Sequence, residues 1–330
     1  MKEHMNGRIP GVDKPVSRLF FGTAIPQMAM GGDANGLLDG VFALGVNAFD
    51  CARGYGGAEG SLGGWIRARG NRERVVILSK CGNVGLFGRV HINRGVIERE
   101  LSESLRALGT DYIDVYLLHR DDPKTPLGEI LETLNEMKQR GKIRAFGASN
   151  WTHDRIAEAN AYAASHGMEG FAASSPNYGL AEQHADPWGG SCVSISGAEN
   201  ADARAWYAAS AMPVIAYSSL GRGFFSGKFK SGDYPAASRV LDRPAQKGYL
   251  CAENMERLRR AEILAGEKEC AVSEIAMRYV FSGDMNMFAA VSSQSPERMR
   301  QNIDAARHPL SAKEARWLNL EIPSLSADSL

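Results

Sequence analysis

The stretch NAFDCARGYGGAE, residues 47–59, decides how the chain is read. It begins as a buried strand, then places an acid (Asp50), a guanidinium (Arg53), a phenol (Tyr55) and three glycines within ten residues. An ionisable pair where a core strand gives way to a glycine-rich loop suits the working end of a strand. The same design recurs along the chain. Short apolar runs that stop abruptly in polar residues lie at 18–24, 47–52, 75–81, 113–119, 143–149, 171–177, 213–219 and 287–293. Between them come longer segments with helical spacing, such as 94–108, with Val96, Leu101, Leu105 and Leu108, and 127–140, with Ile130, Leu131, Leu134 and Met137. Gly109 and Gly141 follow these two segments, as expected where a helix ends in the left-handed conformation.

Eight strands alternating with helices imply parallel pairing and right-handed crossovers. The most economical closed form is an α/β architecture of the (β/α)8 TIM-barrel type. A doubly wound open sheet is the competitor. It would need a Gly-x-Gly-x-x-Gly turn after the first strand, and TAIPQMAMGGDANG has the wrong glycine spacing. One domain over residues 1–330 is expected, with a core of about 17–320 and a C-terminal helix near 311–320. Long connections at 178–199 and 220–250 follow strands six and seven, and loops of that length are usually functional.

Composition narrows the function classes. The chain has 330 residues, with 38 basic and 38 acidic side chains scattered along it, so no polyanionic partner such as nucleic acid is expected. Five cysteines, Cys51, Cys81, Cys192, Cys251 and Cys270, form no Cys-x-x-Cys pair. Neither a metal site nor a disulfide framework is expected, and a reducing cytoplasm fits best. No apolar run has the length of a signal peptide core or a membrane span.

In a barrel of this kind the working face lies at the carboxyl ends of the strands. Reading only those ends yields Asp50 and Tyr55 after strand two, Lys80 closing strand three and His119 closing strand four. Ser149 and Asn150 follow strand five, Asn177 strand six, and Tyr217, Ser218 and Ser219 strand seven. Singly each has a plain explanation: a turn cap for Asp50, a solvated strand-end amine for Lys80, a satisfied buried histidine, a packing aromatic at Tyr217. Together they supply a reaction. A phenol with a reference pKa of about 10 is a sluggish acid, an adjacent ammonium eases loss of its proton, and a carboxylate keeps that ammonium charged. An imidazole beside them can polarise a carbonyl. No side chain can donate hydride, so a nicotinamide cofactor is required.

The order of Asp50 and Tyr55 in FDCARGYG, Lys80 in LSKCG, His119 in YLLHRDD, then GKIRAFGASN, resembles the aldo-keto reductase superfamily. The resemblance implies an eight-stranded barrel with an Asp-Tyr-Lys-His tetrad that binds NADPH without the dinucleotide fingerprint. It implies that Tyr55 is the general acid, that Lys80 and Asp50 lower its pKa, and that His119 orients the substrate carbonyl. Ser149, Asn150 and Asn177 match residues that hold the nicotinamide carboxamide, and Tyr217 matches the aromatic ring stacked on it. Ser218, Leu220, Gly221 and Arg222 fall on the pyrophosphate loop. Ser293 and Arg298 fall where a 2′-phosphate is gripped, and Gln301 and Asn302 where adenine binds. NADPH is favoured over NADH because a guanidinium beside a dianionic phosphate makes a paired, charge-assisted contact.

The chain also departs from the family pattern. Ser292 stands where many relatives carry a lysine, and Cys51 and Arg53 replace commoner residues. Arg53 is a candidate for recognising an anionic substrate or for pairing with a surface acid. The segment 184–197 is unusual, and its Trp188 is a candidate wall of the substrate pocket. The expected activity is NADPH-dependent reduction of an aldehyde or ketone, sugar-type carbonyls included. Two alternatives stay open: a nucleotide-binding regulatory subunit resembling potassium-channel β subunits, and a barrel aldolase or isomerase using Lys80 as a Schiff base.

Overall fold

The computed structural model describes residues 5–84, 90–188 and 190–325. Residue 189, inside the unusual 184–197 segment, and the two ends of the 1–330 domain lie outside the described residues. Eight parallel strands close into a barrel: β1 Leu19–Gly22, β2 Ala48–Asp50, β3 Val76–Cys81, β4 Ile113–Leu118, β5 Ile143–Ser149, β6 Ala173–Ser175, β7 Val214–Ala216 and β8 Met287–Val291. Each lies inside the run expected for it. β8 returns to pair with β1 through Ala289 and Leu19, which closes the ring.

Strand periodicity divides the apolar residues into two cores. Side chains that point inward, among them Phe20, Ala48, Val76, Leu78, Val115, Leu117, Ala145, Ala173, Ile215 and Phe288, form one cluster inside the barrel. Their sequence neighbours Leu19, Phe21, Phe49, Ile77, Tyr116, Phe146 and Met287 pack outward against the helices. The helices Arg94–Leu108 and Leu127–Gln139 sit where their periodicity puts them. Gly109 caps the first at φ 65°, and Gly141 lies one residue beyond the cap of the second at φ 70°. Ala312–Leu318, opened by a Ser311–Glu314 capping box, is the expected C-terminal helix.

Two features differ from expectation. A two-stranded antiparallel ribbon, Asn6–Gly7 with Val16–Ser17, precedes the barrel, and Ile9, Val12 and Val16 enter its inner core. The connection after β7 is partly helical: Tyr234–Val240 and Arg243–Tyr249 each begin at an aspartate that accepts a backbone hydrogen bond and is followed by proline in the first turn. Among the described residues no helix is long and apolar enough to cross a membrane.

Candidate active site

The alternation that stacks Ala48, Leu78, Leu117 and Ile215 inside the barrel continues by one more step of two residues. It brings Asp50, Lys80, His119 and Tyr217 to the same inward face at the carboxyl end. His119 stays in register because its N–H donates to Cys81 O at 2.7 Å. Asp50, Lys80 and His119 are all buried. Tyr55 reaches them from the loop. Its N–H donates to Ala52 O at 3.0 Å, and the glycines beyond it let the loop after β1 approach closely. A Cβ at Gly56 would stand 2.5 Å from Ala29 O, and one at Gly57 2.6 Å from Gly31 N.

Lys80 Nζ is the hub. It donates to Asp50 Oδ1, to Cys51 O at 2.9 Å and to Tyr55 Oη at 3.3 Å. Burial pulls the Lys80 ammonium downward, but Asp50 and Tyr55 outweigh it and hold the pKa above the ordinary lysine value. Lys80 therefore stays charged, and a charged amine cannot open Schiff-base chemistry, which removes support from the aldolase alternative. Burial raises Asp50 against the pull of Lys80. It also raises Tyr55: Lys80 draws the phenol down while Asp50 pushes it up, and the net direction is upward. This corrects the expectation that Lys80 and Asp50 together lower Tyr55; the phenol is a protonated donor whose conjugate base has a cation waiting at 3.3 Å. His119 is driven well below the usual histidine value by burial, with Lys80 and Arg120 adding to the effect, so it is a neutral imidazole. Its ring meets that of Tyr55 edge-on, with centroids 5.8 Å apart.

Arg53 is not available to a substrate in this arrangement. It donates to Glu59 at 2.8 Å and to Glu103 at 3.2 Å, while the other Glu59 oxygen accepts from Ser79 at 2.6 Å. Glu59 is fully buried, and a buried carboxylate needs a compensating cation, so Arg53 serves that need and not the mouth. Arg53→Ala is expected to lower stability by about 1–3 kcal/mol, the cost of an uncompensated buried acceptor, with kcat/KM retained. A thermal melt paired with an activity assay checks this. Lost activity at unchanged stability would return Arg53 to the substrate site.

The residues expected at the cofactor gather on the opposite side of the mouth, already bonded to one another. Asn150 donates to His119 O at 3.0 Å and accepts from Tyr217 Oη at 2.6 Å. Ser149 donates to Ser175 O at 2.8 Å. Asn177 donates to Tyr249 Oη at 3.0 Å and to Tyr217 O at 3.2 Å, and accepts from Ser194 at 2.9 Å. After β7, left-handed Ser218, Gly221 and Arg222 follow one another closely in a tight turn. Within this turn Gly221 N–H is held by Ser218 O at 2.8 Å, while the buried Ser219 Oγ has no hydrogen-bond partner among the described residues and stands as an unspent polar group for an anionic ligand. The turn thus fits a phosphate-bearing cofactor. Arg222 departs from expectation: its guanidinium is paired with Asp242 and lies 4.1 Å from the Trp188 ring centroid. Trp188 thus joins the two long connections through Arg222, a contact that neither residue's neighbours in sequence announce. Ser293 donates to Ser295 O at 2.7 Å, which turns its hydroxyl into the following turn. Arg298, Gln301 and Asn302 share one face of the helix Pro296–Ala306, and among the described residues the exposed Arg298 pairs with no carboxylate.

A closed parallel barrel with these titratable groups at the carboxyl ends of its strands defines a class, the (β/α)8 barrels with a polar working mouth. The chain belongs to the aldo/keto reductase family, whose model matches residues 19–319. It is 27% identical over 288 residues to the aldo-keto reductase YhdN of Bacillus subtilis (strain 168), covering 84% of this chain and 79% of that one. It is also 27% identical over 292 residues to the NADH-specific methylglyoxal reductase of Escherichia coli (strain K12), covering 82% of each. Among solved structures, a thermostable aldo-keto reductase in complex with the inhibitor epalrestat superposes with a TM-score of 0.69 at 22% identity, covering 96% of this chain and 98% of that one.

Proposed function

We propose that this protein is an NADPH-dependent carbonyl reductase that converts an aldehyde or ketone to the alcohol, with Asp50, Tyr55, Lys80 and His119 as its catalytic groups. The observation that carries the reading is the single ammonium, Lys80 Nζ, shared between the Asp50 carboxylate and the Tyr55 phenol at 3.3 Å. When bound, the reduced nicotinamide supplies hydride to the carbonyl carbon. Tyr55 gives its phenolic proton to the carbonyl oxygen, so that C=O becomes CH–OH. The phenolate left behind is stabilised by Lys80 and takes a proton back from solvent. Neutral His119 donates a hydrogen bond to the same oxygen and adds no second cation beside Lys80. Ser149, Asn150, Asn177 and Tyr217 would hold the nicotinamide end, and Ser218, Leu220 and Gly221 the pyrophosphate, while Arg222 stays with Asp242. Ser293, Arg298, Gln301 and Asn302 would hold the adenosine end.

The preference for NADPH rests on this chain's own Arg298, since one relative carries the name of an NADH-specific enzyme. A hydrogen bond to a charged group contributes about 1.5–3 kcal/mol, equivalent to roughly 10–100-fold in affinity. Arg298→Ala is therefore expected to raise the Kd for NADPH by that factor and to leave the Kd for NADH nearly unchanged. Fluorescence titration with both nucleotides measures it. Equal loss for the two would remove Arg298 from the 2′-phosphate. The regulatory-subunit alternative would show itself as tight nucleotide binding with negligible consumption across a panel of carbonyls.

A further inference from the structure

Among the described residues, a cluster of metal-ligating side chains lies outside the tetrad. His184 comes from the connection after β6, and Cys251 and Glu253 from the start of the helix Ala252–Glu267. Their ligand atoms all lie within 4.8 Å of one another, and His184 Nε2 stands 3.7 Å from Glu253 Oε2. Tetrahedral zinc, with bonds of about 2.3 Å to sulfur and about 2.0–2.2 Å to nitrogen and oxygen, needs donors roughly 3.4–3.6 Å apart. The histidine–glutamate separation is already close to that. The remaining closure, about 1 Å, is within reach of side-chain torsions, because His184 and Glu253 are both exposed. The backbone around them is anchored: His184 N–H donates to Gly248 O at 2.9 Å, and Cys251 Sγ accepts from Asn254 N–H at 3.4 Å as the helix cap.

We propose that His184, Cys251 and Glu253 form a binding site for a borderline divalent ion of the Zn²⁺ type, with water as the fourth ligand. The donor set is the mixture of imidazole, thiolate and carboxylate that such ions select, whereas Mg²⁺ and Ca²⁺ require oxygen alone. Zinc binds the thiolate, so the ion displaces the Cys251 thiol proton to solvent as it binds. Arg257, on the same helix as Glu253, is already paired with Glu182 at 2.6 Å and so does not leave an uncompensated positive charge there. A bound ion would tie together two segments that both reach Asn177: the first through Ser194 at 2.9 Å, the second through Tyr249 at 3.0 Å. It would act as a clasp on that wall of the mouth, independent of whether the proposed reaction is correct.

The test uses the full chain, freed of metal by chelator and then titrated with Zn²⁺ by calorimetry and with Co²⁺ by absorption. One ion per chain is expected, with a thiolate-to-cobalt charge-transfer band, tetrahedral visible bands and a higher melting temperature in Zn²⁺. Cys251→Ser keeps a hydroxyl acceptor for Asn254 and so preserves the helix cap, but it removes the thiolate. It should abolish the charge-transfer band and weaken Zn²⁺ at least tenfold, about 1.4 kcal/mol. His184→Ala should weaken Zn²⁺ by a similar factor while circular dichroism stays unchanged. Absence of saturable Zn²⁺ binding would overturn the proposal, as would equal affinities for the wild type and both variants, which would place the ion on other side chains.

Discussion

Tyr55→Phe is expected to lower kcat by roughly 100- to 10,000-fold, the range contributed by a positioned general acid, while NADPH binding is retained. The substitution removes one hydroxyl and leaves the ring in place, so its edge contact with His119 at 5.8 Å persists. What disappears is, among the described residues, the protonated group in hydrogen-bond contact with Lys80 that can hand a proton to a developing alkoxide. Burial keeps that phenol protonated before reaction, and Lys80 at 3.3 Å receives the charge afterwards. Stopped-flow mixing of the variant with NADPH and then with carbonyl separates the two steps: fluorescence should report normal binding, and oxidation of the nucleotide should stall. A variant that turns over at the wild-type rate would assign the proton to another donor.

Lys80→Met carries the second large effect, on stability as well as rate. The lysine is buried with Asp50, and removal of one partner from a buried pair costs about 3–5 kcal/mol because the other charge is left uncompensated. Asp50 would then take up a proton, and the loop held through Cys51 O would lose its 2.9 Å contact. Denaturant melts should show the loss. The double variant Lys80→Met with Asp50→Asn restores much of the stability, since no charge stays buried, but it does not restore turnover. If it recovered both, Lys80 would be a structural residue with no part in proton transfer.

The barrel was legible because parallel strands buried on both faces read as short apolar runs, and the mouth because polar and titratable residues gather at the carboxyl ends of those runs. Asp50, Lys80, His119 and Tyr217 needed only that rule. What escaped depended on partners distant in sequence or on very short elements. The ribbon before the barrel has two residues in each strand, with Pro10 and Pro15 between and beside them, too little for a period to show. The helices of the 220–250 segment had readable signals, the Asp233-Tyr-Pro and Asp242-Arg-Pro starts, which are N-cap and first-turn proline patterns. Arg53 was ambiguous because Glu103 lies fifty positions away, and nothing local announces that Glu59 turns inward. Arg222 meets Asp242 and Trp188 for the same kind of reason. His184 and Cys251 are 67 residues apart, so cysteine spacing alone conveyed no metal cluster.

Direct measurement of nucleotide oxidation tests the central claim, that the Lys80-centred quartet reduces a carbonyl with hydride from NADPH. The purified chain is mixed with NADPH and a panel of aldehydes, ketones and sugars, and the near-ultraviolet absorbance of the reduced nicotinamide is followed, with Tyr55→Phe alongside. Sustained, substrate-dependent loss of absorbance in the wild type and none in the variant is the expected result. Tight nucleotide binding with no consumption by any carbonyl, or equal consumption in both proteins, would contradict it.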